Sequence, residues 1–79
     1  MDRKTAITEY IKKEIMRNPN AKITDEEDLL AAGILDSLAI LQLVSYVSEA
    51  FSIEVPDQDV VYENFVSINA LTNYLSQYP

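Results

Sequence analysis

The sequence contains no cysteine and no histidine, and it has a single glycine. Without thiolates the chain forms no disulfide or cysteine-ligated metal site, and without imidazole it lacks the usual general base of a nucleophilic serine. One glycine excludes a glycine-rich phosphate loop. The acidic stretches do not match a calcium loop, because Leu30 and Tyr62 occupy their glycine positions. We therefore expect neither a bound metal nor catalysis by the chain itself.

Basic residues are also missing from most of the chain. All six lie within the first 22 positions, whereas ten carboxylates and no base follow from residue 23, and the net charge is −7. Such a surface repels nucleic-acid phosphates and anionic lipids and attracts basic patches on proteins. The charge pattern therefore predicts protein partners, with no nucleic acid and no membrane among them.

The length of 79 residues and the hydrophobic content of 48% predict one domain, residues 1–79, held together by a packed apolar core. The first residues show no apolar signal region, and no hydrophobic run approaches the length of a membrane span. These features favour a cytoplasmic protein, which we expect to be a monomer.

The first half of the sequence predicts a helix and a long loop. Ile7, Ile11 and Ile15 recur at four-residue spacing, which indicates a helix over about residues 5–17 that stops at Pro19. The loop over residues 20–36 contains a possible helical turn capped within residues 24–27. Its apolar side chains are expected to pin it to the core: Leu29, Leu30, Ile34 and Leu35.

The second half predicts a long helix over residues 37–51 with Asp36 as its N-cap. Its buried stripe is expected to comprise Ile40, Leu43, Val44, Val47 and Phe51. A short helix follows, capped by Asp57 or Asp59, and then a final helix capped by Ser67. The core is expected to include Ile15, Val44, Phe51 and Leu71. The predicted fold is an all-α four-helix bundle, with three longer helices, one short helix and a long loop between helices one and two.

The tripeptide Asp36-Ser37-Leu38 is by itself only a helix start. Its setting is more specific: residues 33–38 read Gly-Ile-Leu-Asp-Ser-Leu, residues 51–56 read Phe-Ser-Ile-Glu-Val-Pro, and residues 65–68 read Phe-Val-Ser-Ile. Together with the helix between them, these segments resemble the acyl and peptidyl carrier protein family. The resemblance implies that Ser37 bears a covalent 4'-phosphopantetheine group, that Asp36 helps engage the attaching transferase and its magnesium, and that Leu38 contacts partners.

The resemblance further implies a free-standing carrier that presents an aminoacyl or small acyl thioester to partner enzymes. Fatty-acid carriers line the second helix with acids, but Ala39, Gln42, Ser45 and Ser48 stand here. This departure favours stand-alone aminoacyl carriers. The implied partners are a phosphopantetheinyl transferase, an ATP-dependent adenylating enzyme, and tailoring or condensing enzymes downstream.

The surface expected to recognise these partners is apolar and hydrogen-bonding. It comprises Asp36, Leu38, Leu41, Gln42 and Ser45. Two other functions remain open on the sequence: an acyl carrier for fatty-acid or polyketide synthesis, and a non-catalytic helical adaptor without a prosthetic group. An adaptor function would not explain why residues 33–38 resemble the sequence around the attachment serine of carrier proteins.

Overall fold

The computed structural model describes residues 2–79. These residues form four α-helices: α1 (Arg3–Tyr10), α2 (Ser37–Phe51), α3 (Tyr62–Phe65) and α4 (Ile68–Leu75). A π-helical segment, Ile11–Ile15, continues α1, and a 3-10 turn, Asp57–Asp59, precedes α3. Residues 2–79 form no strand, and none of their helices has the length and hydrophobicity to cross a bilayer. The expected all-α bundle, with its long loop before the second helix, is confirmed.

Helix α1 begins two residues earlier than the apolar pattern predicts, because Asp2 supplies a cap. Its Oδ1 accepts a hydrogen bond of 2.7 Å from the Thr5 amide. Toward its end the helix widens, and the Met16 amide donates to the Ile11 carbonyl five residues back at 2.8 Å. Arg17 then adopts a left-handed conformation with φ of 56° and ends the helix.

The core is formed by side chains from all four helices and the long loop. Its largest fully buried members are Ile7, Ile11, Leu29, Leu43, Val47, Phe65, Ile68, Leu71 and Leu75. Of the core positions predicted from the sequence, Leu71 is buried, but Ile15, Val44 and Phe51 are only partly buried and pack against the core from outside. Truncating Phe51 therefore removes less buried surface than the sequence suggested.

The buried stripe of α2 is centred differently from the prediction. Its fully buried residues are Ala39, Leu43 and Val47, which are spaced by four residues and face the core directly. Ile40, Val44 and Phe51 lie at one edge of this stripe and remain partly exposed. Ala39, which the sequence analysis counted among the surface positions of α2, is 6% exposed, so that interpretation is wrong.

Helix α1 runs antiparallel to α2. The Arg3 guanidinium lies 5.7 Å from the centre of the Phe51 ring, and the Tyr46 hydroxyl donates to the Ala6 carbonyl at 3.5 Å. Arg3 also donates to the Leu75 carbonyl at 2.8 Å, at the end of α4. The first helix is therefore packed between α2 and α4, and a cation meets the negative end of the α4 dipole.

Candidate functional site

The loop that leads into α2 is ordered by one capped helical turn. The Asp28 Oδ1 atom accepts hydrogen bonds from the Leu30 amide at 3.1 Å and the Ala31 amide at 2.8 Å. At the other end, Gly33 has φ of 76°, its amide donates to Leu30, and the Ile34 amide donates to Leu29 five residues back. This pair of bonds is the Schellman arrangement that ends a helix at a left-handed glycine. The cap expected within residues 24–27 is thus wrong, and Asp28 provides it.

Hydrogen bonds fasten this loop to α3 and α4, among them one from the Asn69 side-chain amide to Glu26. The Leu29 amide donates to the Val66 carbonyl at 2.7 Å, and the Asn69 amide donates to the Asp25 carbonyl at 3.0 Å. The Tyr62 hydroxyl donates to the Asp28 Oδ2 atom at 2.7 Å. The bonds from the Ala31 amide, Tyr62 and the Leu30 amide hold the pKa of Asp28 below its ordinary value. The same contact raises the pKa of Tyr62, because its neutral form donates the bond.

Ser37 follows directly from this anchored loop. Leu35 is 3% exposed and its amide donates to the Leu29 carbonyl at 3.0 Å, which fixes the chain one residue before the helix cap. Asp36 is extended, with φ of −129° and ψ of −174°, and its Oδ1 accepts from the Ala39 amide at 2.8 Å. Ser37 is the first helical residue, and its side chain is exposed. No hydrogen bond within residues 2–79 engages the Ser37 hydroxyl.

The residues predicted to recognise partners lie on the solvent side of α2. Leu38 is 67% exposed and Leu41 is 62% exposed, and Gln42 and Ser45 are also exposed. The structure separates them into two groups. Leu38 and Asp36 flank Ser37, whereas the other three line a surface groove between α1 and α2.

Several residues around the site were not predicted from the sequence. Asp28 and Tyr62 clamp the loop, and the available signal was an aspartate three residues before Ala31 and five before Gly33, the spacing of a capped single turn. The stacking of Tyr10 on Tyr46 joins residues from two distant helices. No local sequence pattern announces such a pair.

The start of α2 fits a covalently attached phosphodiester. Its exposed hydroxyl provides an attachment oxygen, and the first amides of a 15-residue helix favour an anionic group beside them. The Asp36 carboxylate is directed toward the Ala39 amide, which leaves the hydroxyl unobstructed. Within residues 2–79, no group of three or more acidic side chains is arranged to hold a metal ion.

A helical bundle that exposes a serine hydroxyl at the start of its longest helix has the form of a carrier domain, the class of protein that presents a covalently tethered group to other proteins. The family model described as "Phosphopantetheine attachment site" matches residues 5–75, so the chain belongs to this family. The matched domain is therefore a carrier and not a catalyst, and its prosthetic group is 4'-phosphopantetheine attached to a serine.

A curated relative is the aminoacyl carrier protein of Agrobacterium fabrum (strain C58 / ATCC 33970). It is 47% identical to this chain over 53 residues, which cover 67% of this chain and 63% of the relative. The match thus spans less than two thirds of the relative's length. The family match argues against the adaptor without a prosthetic group.

Proposed function

We propose that this chain is a free-standing carrier of aminoacyl or small acyl groups and that Ser37 is its attachment residue. The observation that carries the proposal is the exposed Ser37 hydroxyl at the first position of α2, beside an Asp36 that already caps the helix. The chain has no histidine to activate this hydroxyl. An external transferase therefore has to supply the base, and exposure of the serine gives it access.

The residues around Ser37 act by positioning. Leu35 anchors the chain in the core, Asp36 fixes the first turn of α2, and the turn between Asp28 and Gly33 holds the preceding loop. When attached, 4'-phosphopantetheine supplies a terminal thiol that carries the cargo as a thioester. The rigid start of α2 then presents the base of the arm to each partner at a fixed orientation.

Two observations support an aminoacyl cargo and an ATP-dependent adenylating enzyme as the loading partner. The relative with 47% identity is an aminoacyl carrier protein. The exposed part of α2 that follows Ser37 bears two leucines, a glutamine and a serine, and its single carboxylate is Glu49. A partner that docks through apolar contacts and hydrogen bonds suits this surface better than one that requires a row of acids.

The first experiment is incubation with coenzyme A and a promiscuous phosphopantetheinyl transferase, followed by intact mass spectrometry. We expect one added phosphopantetheine group. The modified protein is then offered to ATP-dependent adenylating enzymes with amino acids and, separately, to a malonyl-transferring enzyme. Charging by an adenylating enzyme supports the proposal, whereas efficient malonylation without any such charging contradicts the aminoacyl assignment.

A second experiment tests the docking surface of Asp36, Leu38, Leu41, Gln42 and Ser45. Leu41→Glu places a charge on a side chain that is 62% exposed, so it should leave the fold intact while it slows loading. Glu63→Gln on α3 is the control, because Glu63 is exposed and lies outside this surface. Equal loading rates for the two variants would remove Leu41 from the docking surface.

A further inference from the structure

A groove between α1 and α2 is built around two tyrosines. The rings of Tyr10 and Tyr46 stack with centroids 4.2 Å apart and an interplanar angle of 19°. Tyr10 from α1 donates to the Gln42 carbonyl of α2 at 3.4 Å, and Tyr46 from α2 donates to the Ala6 carbonyl of α1 at 3.5 Å. These reciprocal contacts tie the two helices together. The groove has a volume of about 330 Å³.

Carboxylates from both helices surround the tyrosine pair. Glu49 lines the groove on the α2 side, and Glu9 and Glu14 line a second depression on the α1 side that shares both tyrosines. The one lysine there, Lys13, lies 3.5 Å from Glu9. The ion pairs within residues 2–79 include neither Glu14 nor Glu49. The tyrosine pair is thus flanked by two carboxylates, Glu14 and Glu49, that form no ion pair with any cation of residues 2–79.

The negative potential of these carboxylates is felt at the Tyr10 ring. Burial raises the pKa of the Tyr10 hydroxyl, and the charges of Glu14 and Glu49 raise it further. The same negative potential would stabilise a cation placed against the ring. Aromatic faces also attract cations through their quadrupole.

The groove has an apolar end as well. Leu41 lines it, is 62% exposed, and lies one helical turn after Ser37. A ligand that suits the whole groove therefore combines a cation for the tyrosines and carboxylates with an apolar group for Leu41. Arginine matches the first requirement better than lysine, because its planar guanidinium stacks on aromatic rings and pairs with carboxylates.

We propose that this groove docks a partner protein through an arginine side chain laid against Tyr10 and Tyr46, with an apolar neighbour on Leu41. The inference rests on the proposed carrier function for its context and adds the chemistry of the partner segment. It also extends the recognition surface from α2 onto α1 and the π-helical segment that follows it, because Tyr10 and Glu14 contribute to it.

The test is an NMR titration of the protein without its prosthetic group, using the peptide acetyl-Leu-Arg-Leu-amide. The matched probe replaces arginine by citrulline, which has the same shape and no charge. We expect saturable shifts of the Tyr10, Gln42 and Glu49 amides with the arginine peptide. The citrulline peptide should bind about fivefold more weakly, the loss expected for an exposed ion pair. Equal affinities, or shifts confined to Leu38 and α3, would overturn the proposal.

Two variants test which carboxylate contributes to binding of the arginine peptide. Glu49→Gln should weaken the arginine peptide by a similar factor and leave the citrulline peptide unaffected. Glu54→Gln is the matched control, because Glu54 is exposed and lines a different depression beside Val44 and Ser48. If Glu54→Gln weakens binding as much as Glu49→Gln does, the effect is one of net charge and the groove is not the site.

The competing occupant is the chain's own prosthetic arm. Attachment of phosphopantetheine would then by itself shift the Tyr10 and Glu49 amides and abolish peptide binding, which would overturn the partner proposal. Unchanged peptide binding after attachment supports it. If Ser37 does not accept the group, mass spectrometry will show this, and the proposed function is refuted. The peptide titration uses the protein without the group, so its result does not depend on that outcome.

Discussion

Two helices of this protein start beside a serine, and they use it in opposite ways. At α4, Ser67 is itself the cap: its Oγ accepts from the Ala70 amide at 3.0 Å, and the residue is 8% exposed. At α2, Asp36 is the cap, and Ser37 is moved one position into the helix, where its side chain is exposed. A serine at the cap has a structural role, whereas a serine one residue later has a hydroxyl available for chemistry.

The surroundings of the two serines reinforce this difference. Ser67 lies close in sequence to Phe65 and Ile68, which are 1% and 0% exposed, and its own oxygen accepts the cap hydrogen bond from Ala70. Ser37 follows the buried Leu35 but precedes Leu38, which is 67% exposed. The chain therefore emerges from the core at Asp36 and presents its next two residues to solvent.

The largest expected effect of substituting one of these two serines is the loss of phosphopantetheine attachment. We predict that Ser37→Ala abolishes phosphopantetheine transfer, because the acceptor oxygen is removed, and that it changes the free energy of unfolding by no more than about 0.5 kcal/mol, as for other exposed substitutions. Intact mass and thermal unfolding of the same sample check both parts. An alanine variant that still gains the group would refute the assignment of Ser37.

A substitution in the loop should have the largest effect on stability. Gly33 has φ of 76°, and a Cβ there would meet no atom within 4 Å. The free-energy cost of Gly33→Ala therefore comes only from holding alanine in a left-handed backbone conformation. We expect a loss of about 1–2 kcal/mol in unfolding free energy. Chemical denaturation measures it. Gly33→Asn is the control, because asparagine tolerates this conformation better and should lose less.

Removing each cap separately shows whether the two helix starts differ in function as well as in structure. Ser67→Ala and Asp36→Ala should each lower the unfolding free energy by about 1 kcal/mol, because each leaves a first-turn amide without its acceptor. Only Asp36→Ala should also slow phosphopantetheine transfer, since it loosens the turn that carries Ser37. Denaturation curves and transfer rates measured on both variants test this, and equal transfer rates would contradict it.

The smallest expected effect concerns acid. The pKa of Asp28 is lowered in the folded state, so the stability it contributes is complete above its unfolded pKa and is lost as pH falls through the folded value. Tyr62→Phe removes one of its donors and brings that pKa back toward normal. We expect acid unfolding to begin at a slightly higher pH. Tyr46→Phe, whose hydroxyl contacts a carbonyl, is the control and should leave the acid limb unchanged.

The parts of the fold that depend on local pattern were predictable. Apolar spacing predicted α1, α2 and α4, and the capping roles of Asp36 and Ser67 followed from their side chains alone. The carrier assignment came from a sequence resemblance, and the family match over residues 5–75 supports it. The attachment at Ser37 itself stays a prediction.

The features that escaped prediction depend on where distant segments meet. Ala39 is buried because α2 turns that face toward the core, which no residue of α2 reveals by itself. The cap at Asp28 could not be distinguished from one within residues 24–27, since that segment holds a threonine and three acidic residues, and Asp28 is stabilised by Tyr62, 34 residues away. The groove at Tyr10 and Tyr46 likewise exists only once α1 lies antiparallel to α2.

We expect 4'-phosphopantetheine to be attached at Ser37 and at no other serine. Cleavage of the modified protein before its aspartates places Ser37 in the fragment of residues 36–56 and Ser67 in the fragment of residues 59–79. Fragmentation mass spectrometry then assigns the group to one residue. We expect phosphopantetheine on the first fragment, at Ser37, with none on the second. A group on Ser67 or Ser76 in the second fragment, or on Ser45, Ser48 or Ser52 within the first, would contradict it.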